Sequence, residues 1–567
     1  MEQNQNKAMP NMASPQLTAP KIAQKPPKIH KIYPITVRDL IFFALFAVGA
    51  FLTRQLGIVF GLHLGYSLSY IFLFAVTAVY IGTQKITADR FTTACGALSL
   101  AAAVSMTFTD DSLFMFFGVC LTCLFYILFV DGLTGSGKKS FCSVSIINQL
   151  FYSSFAMTLQ NFLTPWRSLA KSKKSGKKGI EILIGVVACI PVAAVMIVLL
   201  ASADDAYASL VEKITTHFFS FIVSLFFAAL IFVFLLPYIF AHKNAESKDH
   251  VLRFKRKLPA GVSCAFLACL CFVYISYLFS QLAYFFSAFR GLLPSGYTFS
   301  YAQYARQGFF EMCAITALNF IILCFIAAKS KRSKGGGIPK SVKALCCAVC
   351  LFCAIFDFTA MSKMALYIRC FGLTRLRLLT ALFMVMILFL AALYVIHLFR
   401  PKFSYMKTAV IIAGCAVLLV SFVNVDAAIA KYNISAYESG QIEELDVGYL
   451  DSLSDAAIPY LAELCSSDNT VISEAAKHAL MNDYKKSKAK EKSVFEFCLT
   501  SYRADKALQK HSKELDEYIA AYEASTQNYA DPYSGEAADM YDYEDQTQYY
   551  DETSSQYYET TEHYNYT

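Results

Sequence analysis

The chain reads as an all-α protein: a polytopic transmembrane helix bundle of about eleven spans, ten to twelve at the limits, with a small C-terminal helical soluble region and disordered tails. Three observations predict this. Of 567 residues, 56% are hydrophobic and only 16% charged, against about 25% charged in globular chains. Apolar runs of membrane length recur along the sequence. Lysine and arginine gather in short loops between those runs, as they do where they orient membrane helices. The formal charge of +8 is therefore a membrane signature and points to no nucleic-acid partner.

Residues 1–35 hold Pro10, Pro15, Pro20, Pro26, Pro27 and Pro34 among polar residues and cannot build a core, so a disordered cytoplasmic tail is expected. The runs that follow are 40–59, 66–82, 91–108, 112–130, 180–201, 217–240, 259–280, 309–328, 341–359, 377–397 and 407–423. They divide into a first four-helix segment (36–131), a basic cytoplasmic loop (132–179) and a seven-helix segment (180–434). Within the loop, residues 143–163 carry Asn148, Gln149, Gln160 and Asn161 among apolar residues, which suits an interfacial amphipathic helix.

Charge placement orients the bundle. With the N-terminus inside, the inner loops hold Lys138, Lys139, Arg167, Lys171, Lys243, Arg253, Lys255, Lys329, Lys331 and Arg332, while the outer loops are poor in cations. The exception is 360–376, predicted outer yet carrying Lys363, Arg369 and Arg375. An odd span count places a helical region (435–523) and an acidic, Tyr-rich disordered tail (524–567) outside, in a multi-pass protein of the bacterial cytoplasmic membrane.

Most of the 18 cysteines fall inside apolar runs. Cys346, Cys347, Cys350 and Cys353 share helical spacing, but no histidine accompanies them, so they read as packing residues and no metal or cofactor is expected. His217 and His397 stand singly at span ends. Neither a Ser/His/Asp set nor a Gly-rich phosphate loop is found among the motifs.

Five pieces carry a resemblance. They are Ser202-Ala-Asp204; Tyr301-Ala-x-Tyr-Ala-Arg-x-Gly-Phe-Phe-Glu311; Leu366-Tyr-x-x-x-Phe-Gly-Leu-Thr-Arg-Leu-Arg377; Asn424-x-Asp-Ala-x-Ile-Ala-x-Tyr-Asn-Ile434; and Asp446-x-x-Tyr-Leu-x-Ser-Leu453 with Ala457-x-Pro459. In this order they resemble the bacterial membrane proteins grouped as domain of unknown function 4173, related to group 4153. The resemblance covers about residues 180–465, departs at Asp205 where that group has a proline, and implies membrane placement without an assigned activity.

On the predicted topology these motifs share the outer face. The candidate polar cluster is Asp204, Tyr301, Tyr304, Arg306, Glu311, Tyr367, Arg369, Arg375, Arg377, Asn424, Asp426 and Asn433, with Asp357 as an isolated intramembrane acid for which Lys363 is the expected partner. Arg375 and Arg377 open a helix, where the dipole disfavours cations, so carboxylates are expected to hold them: Asp204, Asp205, Glu311 or Asp426. Two readings follow. The cluster is an anion pocket with arginine clamps, for an anionic lipid or envelope ligand, with Asp204 or Asp426 as a base. Alternatively it is a salt-bridge network that fixes the bundle, with Asn433 and Asp446 docking the soluble region. The expected function is non-catalytic: sensing, scaffolding or anionic-ligand binding in the bilayer at the outer face. The alternatives are a secondary transporter and a membrane-embedded transferase on lipid-linked substrates.

Overall fold

The computed structural model describes residues 33–59, 63–82, 88–135, 140–143, 145–172, 205–244, 256–290, 309–333, 337–489 and 493–527. Among these the chain is helical throughout, the lone extended feature being a bridge between Leu258 and Ser330.

Capping residues start the first helices. α1 (Val37–Leu52) begins on a capping box, in which Asp39 N donates to Thr36 Oγ1 at 3.4 Å and Thr36 N to Asp39 Oδ2 at 2.8 Å. A π turn (Thr53–Val59) closes it. α2 (Leu64–Gly82) follows, then α3 (Arg90–Ser105) capped by Asp89 and α4 (Ser112–Leu133) capped by Asp111. α5 (Ser145–Phe151), a π segment (Tyr152–Met157) and α6 (Thr158–Asn161) continue as one helical run, and α7 (Thr164–Ser172) follows. In that run the apolar Ile147, Phe151, Phe155 and Leu159 are exposed while Gln149 and Ser153 are buried. This amphipathic run, predicted as interfacial, puts its apolar stripe outward and its polar stripe inward.

The long helices come next: α8 (Asp205–Asn244), α9 (Ala260–Arg290), α10 (Phe309–Lys329), α11 (Lys340–Phe371), α12 (Arg375–Phe399) and α13 (Tyr405–Val423). Eight stretches of the described residues are long and apolar enough to cross a membrane: Val37–Leu56, Leu64–Gly82, Ser112–Leu133, Val223–Asn244, Ala260–Phe279, Lys340–Phe371, Arg375–Phe399 and Tyr405–Val423. Of the other predicted spans, 91–108 corresponds to the shorter α3, 309–328 to α10 with its apolar part Ala314–Lys329, and 180–201 lies outside the described residues. The basic loop predicted at 360–376 is not a loop. α11 runs on to Phe371, and Gly372 at φ 74° ends it. Polar residues beyond the apolar run still propagate a helix until a residue free to enter the left-handed region stops it.

Two apolar cores lie side by side in the bundle. Phe42, Phe46, Phe125, Phe129, Leu236 and Phe240 join α1, α4 and α8, and Leu267, Leu323, Val342, Cys346, Cys350 and Tyr394 join α9 to α12. The cysteine cluster thus packs in the second core. α13 approaches α4 so closely that a Cβ on Gly414 would stand 2.2 Å from Phe125 Cζ. Asn424, at φ 60°, turns the chain into α14 (Val425–Glu438). The C-terminal region then stacks α15 (Val447–Asp451), α16 (Ile458–Leu464), α17 (Thr470–Ala489), α18 (Leu499–Lys510) and α19 (Ser512–Gln527) around Leu450, Leu461, Leu480, Leu508 and Leu515. Phe114, Leu373, Val425 and Ile429 with Tyr449 and Leu453 seal it to one end of the bundle.

Candidate functional site

That sealed end gathers the starts of α4 and α12 with the ends of α11 and α13. Arg375 is its hub. Its Nε donates to Asp426 Oδ1 at 2.6 Å and its terminal nitrogen to Asp426 Oδ2, while the same nitrogen lies 2.8 Å from Asp111 Oδ2. Its backbone N–H donates to the Tyr449 hydroxyl at 2.9 Å. Asp111 uses its other oxygen to cap α4 through Leu113 and Phe114. Asp426 also accepts from Ser454 N at 3.1 Å and Ser454 Oγ at 2.6 Å. Burial alone would raise the Asp426 pKa; the Arg375 guanidinium and the Ser454 donors outweigh it and hold the carboxyl below its ordinary value.

Arg377 is held differently. Its guanidinium donates to the carbonyls of Phe371 at 2.8 Å and Gly372 at 2.6 Å and lies 4.0 Å from the Tyr367 ring centroid. The expected carboxylate partner is replaced by the C-terminal carbonyls of α11, where the helix dipole favours a cation. Asn433 clamps the same turn: Leu373 N donates to its Oδ1 at 2.6 Å, and its Nδ2 donates back to Leu373 O at 2.9 Å. The Arg369 side chain is exposed, and its carbonyl accepts from Gln441.

Asp110 stands beside this network. Its Oδ2 accepts from Asp455 N at 3.0 Å, its Oδ1 is buried with no partner among the described residues, and burial, then the Asp455 charge, pushes its pKa up to about 6. A cysteine–histidine contact, absent from every sequence motif, lies nearby. Cys498 at the start of α18 meets His63, which raises the imidazole pKa and lowers that of the thiol, against a burial effect that would raise it.

Other predicted members stand apart. Glu311 is exposed in the first turn of α10, and no ion pair among the described residues joins it to Arg375. Asp204, Tyr301, Tyr304 and Arg306 lie outside the described residues. Asp357 is buried, its Oδ2 without a partner among the described residues. The expected pairing of Asp357 with Lys363 is not made, because six residues along one helix set the two side chains about 120° apart and about 9 Å along the axis.

A cavity of about 350 Å³ lies between bundle and C-terminal region, walled by Phe108, Phe422, Asn424 and Tyr460 and by Arg503 and Lys506 of α18. Both cations are exposed, and no carboxylate pairs with either among the described residues. No sequence motif contains them; their i, i+3 spacing is the sole local signal. The lining contains no carboxylate, thiol or imidazole. No group of three His, Cys, Asp or Glu among the described residues is placed to hold a metal ion.

A family model described as a domain of unknown function, DUF4153, matches residues 94–464. The chain belongs to the DUF4153 family. The sequence motifs pointed to group 4173, and the model that matches is that of its relative. The DUF4153 segment contains Asp110, Asp111, Arg375, Asn433, Asp426 and Ser454 and ends at α16, before Arg503 and Lys506. No curated protein and no solved structure matches the chain.

Proposed function

We propose that this DUF4153 protein is a non-catalytic envelope protein that binds an anionic amphiphile at the extracytoplasmic face of the bacterial cytoplasmic membrane. The cavity carries the reading. Two cations with no ion pair among the described residues stand at its rim, and its bundle-side wall continues onto the exposed Phe422 and Val423. A phosphate-bearing head would meet Arg503 and Lys506, and an acyl chain would run along α13 into the bilayer. The lack of an acid, thiol or imidazole in the lining favours binding over transfer chemistry. Orientation is supported by the cations of the opposite end, where Lys243, Lys257, Lys329, Lys331, Arg400, Lys402 and Lys407 stand at helix termini.

The test is binding of the purified full chain to nanodiscs or short-chain lipids with phosphatidylglycerol or phosphatidylcholine heads. The anionic lipid should bind more tightly, more weakly as salt rises, and about 10- to 100-fold more weakly to an Arg503→Gln, Lys506→Gln variant. Equal affinity for both lipids, or an unchanged double variant, would overturn the reading. Secondary transport is the second reading, favoured by a carboxylate oxygen of Asp357 that is buried inside a spanning helix with no partner among the described residues. Substrate-driven uptake into liposomes that Asp357→Asn abolishes would replace the first reading with it.

A further inference from the structure

Backbone hydrogen bonds fix the level at which the C-terminal region meets the bundle. Phe497 O accepts from Leu64 N at 3.4 Å, and Leu499 N donates to Thr107 O at 2.8 Å. The Thr500 hydroxyl adds a bond to Phe108 O at 3.1 Å. Leu64 is the first residue of the spanning stretch Leu64–Gly82, and Thr107 lies just past the end of α3. A 3-10 turn, Val494–Glu496, packs against α2 itself. The chain from Val494 to Thr500 therefore runs beside the start of a helix that begins where the hydrocarbon begins, at the depth of the lipid head groups.

This edge is apolar where it faces outward. Val494 is 74% exposed, Phe497 40% and Tyr502 54%, and the Phe497 and Tyr502 rings lie 6.0 Å apart. Leu68, one turn into α2, is exposed too. α18 continues the edge with charge. Residues on a helix turn by about 100° each, so Tyr502, Arg503, Lys506 and Lys510 fall within one arc of about 100°. All four are exposed. Asp505, the sole acid of α18, lies off that arc and accepts from Ser487 Oγ at 2.7 Å. Aromatic rings beside a helix face of Lys and Arg are the make-up of an interfacial element: the rings enter the acyl boundary and the cations reach the phosphates.

We propose that Val494, Phe497 and Tyr502, with the Arg503, Lys506 and Lys510 face of α18, form a membrane-docking surface seated on anionic phospholipid head groups of the leaflet in which α2 begins. Two observations select the bilayer as the occupant: the backbone bonds that set this edge level with the start of a spanning helix, and the cations that match anionic heads. The C-terminal region, expected from the sequence to be soluble, is then a peripheral membrane element with two attachments. The Arg375 network ties it to the bundle, and this surface ties it to lipid. The surface exists whether or not the cavity beside it is filled, so it stands apart from ligand binding.

The full chain in nanodiscs tests this. Trp166, the one tryptophan, is replaced by Phe, and Phe497→Trp or, in a separate protein, Tyr502→Trp supplies the reporter. In discs containing phosphatidylglycerol, phospholipid brominated along its acyl chains should quench most of the emission, and aqueous iodide little of it. Lys510→Glu should shift that balance toward iodide, and so should discs of phosphatidylcholine alone. Emission quenched by iodide and untouched by brominated lipid would overturn the docking surface. Emission shielded from both quenchers would overturn it too, because protein would then cover the edge. Equal quenching with and without Lys510→Glu would overturn the part assigned to charge. Should Phe497→Trp fail to fold, Tyr502→Trp decides alone.

Discussion

Two pairs of cations stand at the same end of this molecule and have opposite fates. Arg375 and Arg377 are saturated, one by Asp426 and Asp111, the other by the carbonyls of Phe371 and Gly372 and the Tyr367 ring. Arg503 and Lys506 face a cavity and meet no carboxylate among the described residues. The first pair lies inside the family segment and the second beyond it. Cations near a membrane surface do not by themselves mark a ligand site. What decides is whether the protein supplies the acceptors. The arginines tie the C-terminal region to the bundle, and the α18 cations leave their charge for something else.

The strongest way to break this contrast is Arg375→Ala. It leaves Asp426, whose side chain is 1% exposed, as a buried charge with no cation, at a cost of about 3–5 kcal/mol. Thermal unfolding in detergent should show a large drop, with protease sensitivity appearing first in the C-terminal region. A loss no greater than that of Lys485→Ala, an exposed ion pair on α17, would mean that the arginine ties nothing.

Acid titration sharpens the same comparison through two aspartates. Asp426 has its folded pKa below the ordinary 3.8, so its contribution is present above that value and is lost as pH falls through the folded pKa. Asp110 has its pKa raised to about 6, so the folded state binds the proton more tightly and stability declines as pH rises from about 4 to 6. Asp110→Asn should remove that decline and stabilise the protein at neutral pH by about 1–3 kcal/mol. A variant whose unfolding midpoint retains the wild-type slope between pH 4 and 6 would contradict the assignment.

Gly372→Ala acts on the turn itself. The residue sits at φ 74°, and a Cβ would stand 2.9 Å from Asn433 Oδ1, the atom that accepts from Leu373 N. Strain and a displaced clamp should together cost about 1–3 kcal/mol in denaturant unfolding. Stability equal to wild type would show that the α11–α12 turn tolerates a side chain and that Asn433 does not fix it.

Much of this was legible in the sequence. Apolar runs gave the helices because a span must be apolar over a length set by the bilayer. Their ends were not legible, since Lys363 and Arg369 extend α11 as readily as apolar residues do. For Arg375 the argument that a cation at a helix start needs an acid left four candidates, Asp204, Asp205, Glu311 and Asp426, and the structure pairs it with Asp426. Asp111 was not among the acids offered, because Thr109-Asp-Asp111 lies between two apolar runs and belongs to none of the five motifs. Arg377 was misassigned, because a carbonyl partner leaves no trace in side-chain sequence. Arg503 and Lys506 could not be found at all. On an isolated amphipathic helix they are ordinary surface residues, and they gain meaning when α18 docks against Phe108 and Phe422.

The smallest expected effect on stability is therefore the most informative about function. Arg503→Gln with Lys506→Gln removes two exposed charges that make no ion pair among the described residues, so the unfolding midpoint should stay within about 0.5 kcal/mol of wild type. Relief of repulsion between cations one turn apart could raise it by a few tenths. Set beside Arg375→Ala, the double variant separates two meanings of a basic residue at this face: charge that holds the protein together and charge left over for a ligand. A destabilisation comparable to that of Arg375→Ala would place α18 among the ties, and the contrast between the two cation pairs would collapse.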